Sequence, residues 1–436
     1  MTAESPRPAS PPATRRTFLQ TSSVALAGAA VASTLGAVPM AHAAGSDVLK
    51  IALIGCGGRG SGAAVNAMSA DPNVQLTVLA DAFPDQIAAA KANLGKNPKF
   101  AVPDDQCFVG FDAYKKVMET DVDVVLLCTP PHFRPAQLKA AIEAGKHVFC
   151  EKPVAVDAPG VRSVLETAAA AKQKNLSIVS GLCWRYDPGV RETIKKIQDG
   201  AIGDIVTIQE NYLTGTLWHR GRKPEWTDME YQMRNWLYFT WLSGDHNVEQ
   251  HIHSLDKAMW LMGDKPPVSC FGLGGRQVRT GAEYGNIFDH HAVCYEWESG
   301  VKCYAYTRQM KGCSGDVEDY VYGTKGKASV LKNMVKSGSD TWRYKGDKPS
   351  MYDVEHQELF AGIRSGNIIN NGVYMSYSTM LAIMGRMACY TGQNVTWEAA
   401  MESKEDLTPS AYAFGPVKIP GATTLDVAVP GVTPLV

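Results

Sequence analysis

The sequence predicts an α/β protein: an N-terminal doubly wound parallel sheet, then a second α/β domain with a large, open and mainly antiparallel sheet. Three observations predict it. From Leu49 to Ser180, short β-branched and aliphatic runs alternate with helical stretches, as parallel strands joined by crossover helices do. The first of these runs passes directly into a glycine-rich turn that opens a helix. Beyond Gly181 the grammar changes to strands joined by turns such as Glu298-Ser299-Gly300, which suits an antiparallel sheet with one face against helices.

The 436 residues suffice for about two domains with ample cores. A composition 45% apolar and 20% charged is that of an ordinary globular protein, and a formal net charge of −1 provides no footprint for nucleic acid or an anionic membrane surface. The opening residues follow a different rule. Arg15 and Arg16 precede a mild apolar run from Val24 to Val38, and Ala41-His42-Ala43 offers a small-residue cleavage site. Residues 1–43 therefore resemble a twin-arginine export signal, which places the mature chain in the periplasm with no stable membrane insertion after processing.

Ten cysteines invite reading as a disulfide framework, but their positions argue against it. Cys128 and Cys150 end apolar runs, Cys56 lies in the glycine turn, and no CxxC pair occurs. Such thiols suit a chain that folds in a reducing compartment and is exported already folded.

The first domain is expected over residues 44–180. Lys50 to Ile54 leads into Gly55-Cys56-Gly57-Gly58-Arg59-Gly60, a G-x-G-x-x-G turn, and Ser61 to Ala70 continues as a small-residue helix. Glycines let the turn close and let backbone N–H groups reach a pyrophosphate at a helix N-terminus. A second strand, Gln75 to Ala80, ends in Asp81, where a carboxylate takes the ribose hydroxyls of a dinucleotide. With Ala82 and Phe83 following and no arginine nearby in sequence, NAD is favoured over NADP.

The strand Val122 to Leu127 closes with Cys128-Thr129-Pro130-Pro131-His132, a second loop facing the cofactor through Thr129, Pro130 and His132. Pro135 opens a helix to Glu143. The strand Val148 to Cys150 then runs into Glu151-Lys152-Pro153, which puts an acid and an ammonium at a carboxyl strand end, where cofactor and substrate meet. Asp157 caps a helix to about Lys174, and Leu176 to Ser180 forms a sixth strand.

The second domain is expected over residues 181–400, with an extended arm over 401–436. Strands are read at Ile205 to Asn211, Ala292 to Glu298 and Val301 to Thr307. Between Tyr212 and Trp241, aromatic residues including Trp236 mix with Arg220, Arg222, Lys223 and Arg234, which suits either platforms for sugar rings or packing. In Gly244 to Asp256, a continuous helix would put His246, Glu249, Gln250 and His253 on one stripe, with Glu249 four residues before His253 and able to orient it. Two helices fill Glu355 to Trp397, with Gly372 and Gly392 as punctuation.

Taken together, the glycine turn, Ala144 to Pro153, His253-Ser254-Leu255-Asp256 with Trp260-Leu261-Met262-Gly263, and Gly323-Thr324-Lys325-Gly326 resemble the Gfo/Idh/MocA oxidoreductase family. The resemblance covers nearly everything after the signal. It implies an N-terminal Rossmann domain, a C-terminal domain whose open sheet makes homo-oligomers, Lys152 in contact with the nicotinamide ribose and the substrate hydroxyl, and His253 as general acid/base. Many members carry Asp four residues before that histidine, where this chain has Glu249. The three histidines and a glutamate also invite a metal reading; the resemblance accounts for them without one, so no metal is expected.

The expected activity is therefore NAD(P)-dependent hydride transfer at a secondary hydroxyl of a sugar, cyclitol or glycoside. Lys152, His253 and Glu249 are the catalytic candidates. Gly55, Gly57, Gly58, Arg59, Gly60, Asp81, Thr129, Pro130, His132, Glu151 and Lys152 would bind cofactor, and Arg185, Trp236, His246 and Gln250 would bind substrate. Export of a nicotinamide enzyme implies a tightly bound cofactor. Two alternatives use the same residues differently: an NAD-dependent glycosidase, revealed by aglycone release without net NADH, and a non-catalytic nucleotide sensor, revealed by absence of turnover.

Overall fold

The computed structural model describes residues 47–419 and 427–436, so the expected export signal lies outside the described residues. No helix among the described residues is long and apolar enough to cross a membrane.

The first sheet is built from β1 (Leu49–Ile54), α1 (Gly58–Ala70), β2 (Val74–Asp81), α2 (Pro84–Leu94), β3 (Cys107–Val109), α3 (Ala113–Met118), β4 (Val124–Leu127), α4 (Arg134–Glu143), β5 (His147–Cys150), α5 (Ala158–Gln173) and β6 (Ile178–Ser180). Its six strands run in the order β3-β2-β1-β4-β5-β6, every neighbouring pair parallel. All four residues of β4 are buried, because helices cover both faces of the sheet. The strand order reverses between β1 and β4, which opens a crevice at their carboxyl ends. Asp157 caps α5 through the Gly160 N–H at 2.9 Å, an interaction worth about 1 kcal/mol.

After α6 (Pro188–Gln198) and β7 (Ile205–Thr214) come four short helices: α7 (Asp228–Arg234), α8 (Thr240–Ser243), α9 (His246–Glu249) and α10 (Ile252–Leu261). Then follow β8 (Ser269–Gly275), β9 (His290–Glu296), β10 (Lys302–Gln309), β11 (Asp316–Gly323), β12 (Gly326–Ser329), β13 (Met334–Ser337), β14 (Asp340–Arg343), α11 (Met351–Ser365), α12 (Gly372–Thr391), β15 (Val395–Thr396) and α13 (Trp397–Glu402). The second sheet has nine strands, ordered β14-β13-β12-β11-β7-β10-β9-β8-β15. Only β7 and β10 pair in parallel; the rest of the sheet is antiparallel.

One face of this sheet carries α10 against β7 and α12 against β8 and β9. The other is open. There Phe271 and Tyr304 flank Cys294 in register, and Leu273 and Tyr306 flank Ala292, with all four flanking side chains exposed.

The C-terminal helices return to the first sheet: α11 packs on α1, and α12 on α5. Gly366 and Gly392 end these helices at φ 74° and 71°, where a left-handed residue is needed. Gly372, read as punctuation between the two helices, is the first residue of α12, where a Cβ would lie 2.1 Å from that of Ala168. Residues 403–419 form no helix or strand but cross back over the first sheet. The Leu407 N–H donates to Asp157 at 3.1 Å, the rings of Tyr412 and Phe414 lie 5.9 and 4.8 Å from that of Phe111, and Ile419 is buried.

Candidate active site

The glycine turn divides its labour. Gly55 has φ +94°, and a Cβ there would stand 2.6 Å from the Cys128 carbonyl carbon; a Cβ on Gly60 would reach 1.8 Å from the Gly55 oxygen. These two glycines are required for the turn to close on β4. Gly57 and Gly58 are not crowded: nothing lies within 4 Å of a Cβ on Gly58, and only Gln86, at 3.8 Å, near one on Gly57. Gly57 caps α1 without any side chain, so the first N–H groups of the helix are left for a ligand.

That N-terminus faces a cavity of about 450 Å³ lined by the turn, Asp81, Phe83, Phe111, Thr129, Pro130 and Phe133 from the first sheet, and by Trp218, Arg220, Arg234 and Trp236 from beyond it. Asp81 accepts the N–H groups of Cys56 at 2.6 Å and Phe83 at 2.9 Å; burial nonetheless pushes its carboxyl up. Open space at Gly57 and Gly58, an uncapped helix start and a carboxylate at the end of β2 fit a dinucleotide.

Lys152 leaves the end of β5, and Glu249 ends α9. The Lys152 ammonium donates to the Glu249 carbonyl at 2.7 Å and to its carboxylate at 3.0 Å, with only 14% and 12% of the two side chains exposed. His253, in the first turn of α10, has Nδ1 buried without a hydrogen-bond partner. Burial, reinforced by Lys152, Lys257 and Arg59, holds its imidazole well below the ordinary pKa, so the ring is neutral at physiological pH. A neutral imidazole can take a proton, and an ammonium can steady an alkoxide.

Comparison with known proteins agrees with this geometry. A family model described as the oxidoreductase family with NAD-binding Rossmann fold, GFO_IDH_MocA, matches residues 49–179, and the GFO/IDH/MocA C-terminal domain matches residues 190–329. The chain belongs to the Gfo/Idh/MocA oxidoreductase family. An inositol 2-dehydrogenase of Rhizobium meliloti is 28% identical over 285 residues, 65% of this chain and 75% of that protein. An aldose-aldose oxidoreductase from Caulobacter crescentus, solved with glycerol, superposes with a TM-score of 0.63 at 18% identity, covering 80% of this chain and 99% of that one. A levoglucosan dehydrogenase solved with NADH and levoglucosan gives a TM-score of 0.62 at 18% identity over 80% and 99%. These two structures share the fold.

In this Gfo/Idh/MocA oxidoreductase several expected residues serve other ends. Arg59 lines the cavity, but its guanidinium pairs with Glu151 and, at 3.1 Å, with Glu355 on α11. Glu151, 3% exposed, is thus an anchor for Arg59 and does not line the cavity. His132 also stands outside the lining: its ring lies 5.0 Å from that of Trp241, and Nε2 is 2.7 Å from the Tyr412 hydroxyl. Thr129 and Pro130 line the cavity as expected.

The expected helical stripe is broken. The His251 N–H reaches back five residues to the His246 carbonyl at 3.0 Å, so α9 stops at Glu249 and α10 starts afresh at Ile252. Glu249 therefore holds Lys152 where orienting His253 was expected, and His246 turns into the core. There His246 Nδ1 is 2.9 Å from Asp245, whose other oxygen accepts the Phe288 N–H at 2.9 Å and the Tyr390 hydroxyl and lies 3.3 Å from His291. Burial holds His246 near pKa 4. Gln250, expected at the substrate, accepts a hydrogen bond from Gln309 on β10.

Arg185, expected at the substrate, is buried against Asp256 at 2.9 Å and Asp264 at 2.6 Å, over the ring of Tyr374. Trp236 lines the dinucleotide cavity, as does Trp218, and Trp241 is fully buried; these aromatics frame cofactor and core. Arg220 and Arg234 also correct the sequence reading that no arginine lies near Asp81. Their distance in sequence, about 140 residues or more, hid them. Arg234 is committed to Asp85 and Glu230, and it stacks on Phe83 at 4.1 Å.

Proposed function

We propose that this oxidoreductase is a dehydrogenase acting on a secondary hydroxyl of a sugar or cyclitol, with NAD as its cofactor. The observation that carries the reading is the Lys152–Glu249 pair beside a neutral His253, at the carboxyl edge of the fingerprint sheet. When bound, a nicotinamide dinucleotide supplies the two-electron acceptor. Gly57, Gly58 and the start of α1 would hold its phosphates, and Asp81 its ribose hydroxyls, which is the ground for NAD over NADP. Glu249 aims the Lys152 ammonium at the substrate oxygen, where positive charge stabilises the alkoxide as it forms, and His253 accepts the hydroxyl proton.

The relatives that are inositol 2-dehydrogenases support the substrate class. The exposed aromatic and aliphatic face of the nine-stranded sheet supports a homo-oligomer. The Arg15–Arg16 leader and ten free thiols support export to the periplasm with the cofactor already seated; cell fractionation, with nucleotide assayed in protein denatured from the periplasm, tests it, and a cytoplasmic or nucleotide-free product refutes it.

The activity test follows reduction of NAD and of NADP by inositols and aldoses in the wild type and in Lys152→Met and His253→Ala. Each variant should keep dinucleotide affinity and lose at least about a hundredfold in kcat. Near-normal turnover in either removes that residue from the mechanism, and faster turnover with NADP removes the assignment of NAD.

A further inference from the structure

Beneath His253 lies a charged cluster that the reaction as described leaves unused. Asp319 on β11 and Glu210 on β7 stand directly opposite in register, and both are fully buried. Like charges so placed repel, and burial removes the water that would screen them. One cation meets them. The Lys257 ammonium, 1% exposed, lies 3.1 Å from Asp319 and donates to the main-chain carbonyl of His253 at 2.6 Å. The Trp184 ring lies 5.4 Å from the same ammonium.

The charges close only if the two acids share a proton. Burial and Asp319 push the Glu210 carboxyl well up, so one proton stays with the pair and the remaining negative charge is matched by Lys257. The surrounding groups do not alter this balance. Glu318 turns its carboxylate to the N–H groups of Asp319 and Leu331, at 3.0 and 2.7 Å, and burial holds His251 neutral. Tyr212, two residues along β7, is pushed up to about 12 by burial and by Glu249, and so stays un-ionised. Around His253 itself the charges are Lys152 with Glu249, Arg59 with Glu151 and Glu355, and Lys257. Lys152 and Arg59 each have their own carboxylates. Lys257 is the cation on the same helix, and it ties the His253 main chain to the sheet.

We propose that Lys257, seated on the Asp319–Glu210 pair, is a positioning residue that fixes the main chain at His253 and keeps its imidazole in the proton-accepting form. The inference rests on His253 being the base. Turning the ring cationic beside a buried ammonium is opposed, so the base remains available at lower pH than an ordinary histidine allows. Glu210 holds the shared proton, which spares Lys257 from sitting beside two full negative charges.

The experiment measures kcat/KM against pH for NAD-dependent oxidation of myo-inositol in wild type, Lys257→Met, Glu210→Gln, and the double variant Lys257→Met with Asp319→Asn, which removes both partners of the ion pair. In both Lys257→Met forms the acidic limb should move up by about one pH unit, because the ring loses a neighbouring cation. Glu210→Gln, which fixes the proton the pair already carries, should superimpose on wild type at neutral pH. If the single variant does not fold, the double variant decides. An unmoved acidic limb in a folded variant that lacks Lys257 overturns the proposal, as does a downward shift. His253→Ala separates the two readings: full activity there refutes His253 as base, whereas lost activity there with an unmoved limb in the double variant refutes only the role of Lys257.

Discussion

Replacing Arg59 by methionine separates a cofactor contact from a structural clamp. Arg59 stands between Glu151 and Glu355, whose side chains are 4% and 0% exposed. Burial opposes its charge, but the two carboxylates outweigh it and raise its pKa further above the ordinary arginine range. Methionine conserves much of the stem and removes what is, among the described residues, the only cation paired with either acid, which strands buried carboxyl groups. Breaking a buried ion pair from one side costs roughly 3–5 kcal/mol. At ~2.1 cal/mol/K per residue over roughly 390 residues, 4 kcal/mol corresponds to a fall in Tm of about 5 °C.

The loss should depend on pH, with a definite sign. Burial and the neighbouring Glu151 already hold the Glu355 carboxyl well above its unfolded value, and Arg59 opposes this rise, so without Arg59 it rises further. The variant is then relatively stable in acid, where Glu355 is protonated, and loses stability as pH rises from about 4.5 through the raised value of that group. Urea melts of wild type and variant at pH 5, 6.5 and 8 check this, with Glu355→Gln added to Arg59→Met expected to recover part of the loss at pH 8. A destabilisation below about 1 kcal/mol at pH 8, or one that grows in acid, refutes the clamp; a variant of wild-type stability that only binds NAD poorly would return Arg59 to the cofactor.

Burial holds His246 near pKa 4 and His356 near 3, both below the unfolded value of about 6.5, so the unfolded chain takes protons first as pH falls. Their stability contribution is complete above about pH 6.5 and declines below it by about 1.4 kcal/mol per pH unit for each; His356→Gln should make urea midpoints less sensitive between pH 6.5 and 5, and an unchanged slope refutes this. Gly60→Ala should abolish soluble folding or nucleotide binding because its Cβ meets the Gly55 oxygen, whereas Gly58→Ala should fold with a near-normal melt; equal behaviour of the two contradicts the turn geometry. Lysines at Phe271 and Leu273, 54% and 75% exposed, should convert an oligomer to monomer in light scattering, and a monomeric wild type removes that interface.

Five strands of the first sheet were legible because each is a run of apolar residues ended by a turn residue, and the glycine turn, Asp81 and the Glu151-Lys152-Pro153 stretch fall at strand ends where local sequence decides conformation. The three-residue β3 left no periodic signal. What local sequence does not carry is the choice of partner. Nothing near Arg59 announces Glu355, 296 residues away, and nothing near Arg185 announces that Asp256 and Asp264 will absorb its charge. The stripe from His246 to His253 failed for a small reason: one amide bonded five residues back turns His246 and His253 to different surroundings, although a uniform 3.6-residue period puts them together. The arginines beside Asp81 escaped notice because they come from the second domain.

The tail that crosses the first sheet has a bearing on when the molecule can acquire its cofactor. Phe83, Phe111 and Phe133 form one side of the dinucleotide cavity, and each is backed by Tyr412 or Phe414, about 280 residues or more further along the chain. A nascent chain can fold its glycine turn early, but that side of the cavity stays unsupported until Tyr412 and Phe414 have been made. Loading is thereby coupled to arrival of this segment: a polypeptide cut short at residue 403 would display the fingerprint yet lack the backing that steadies its ligand.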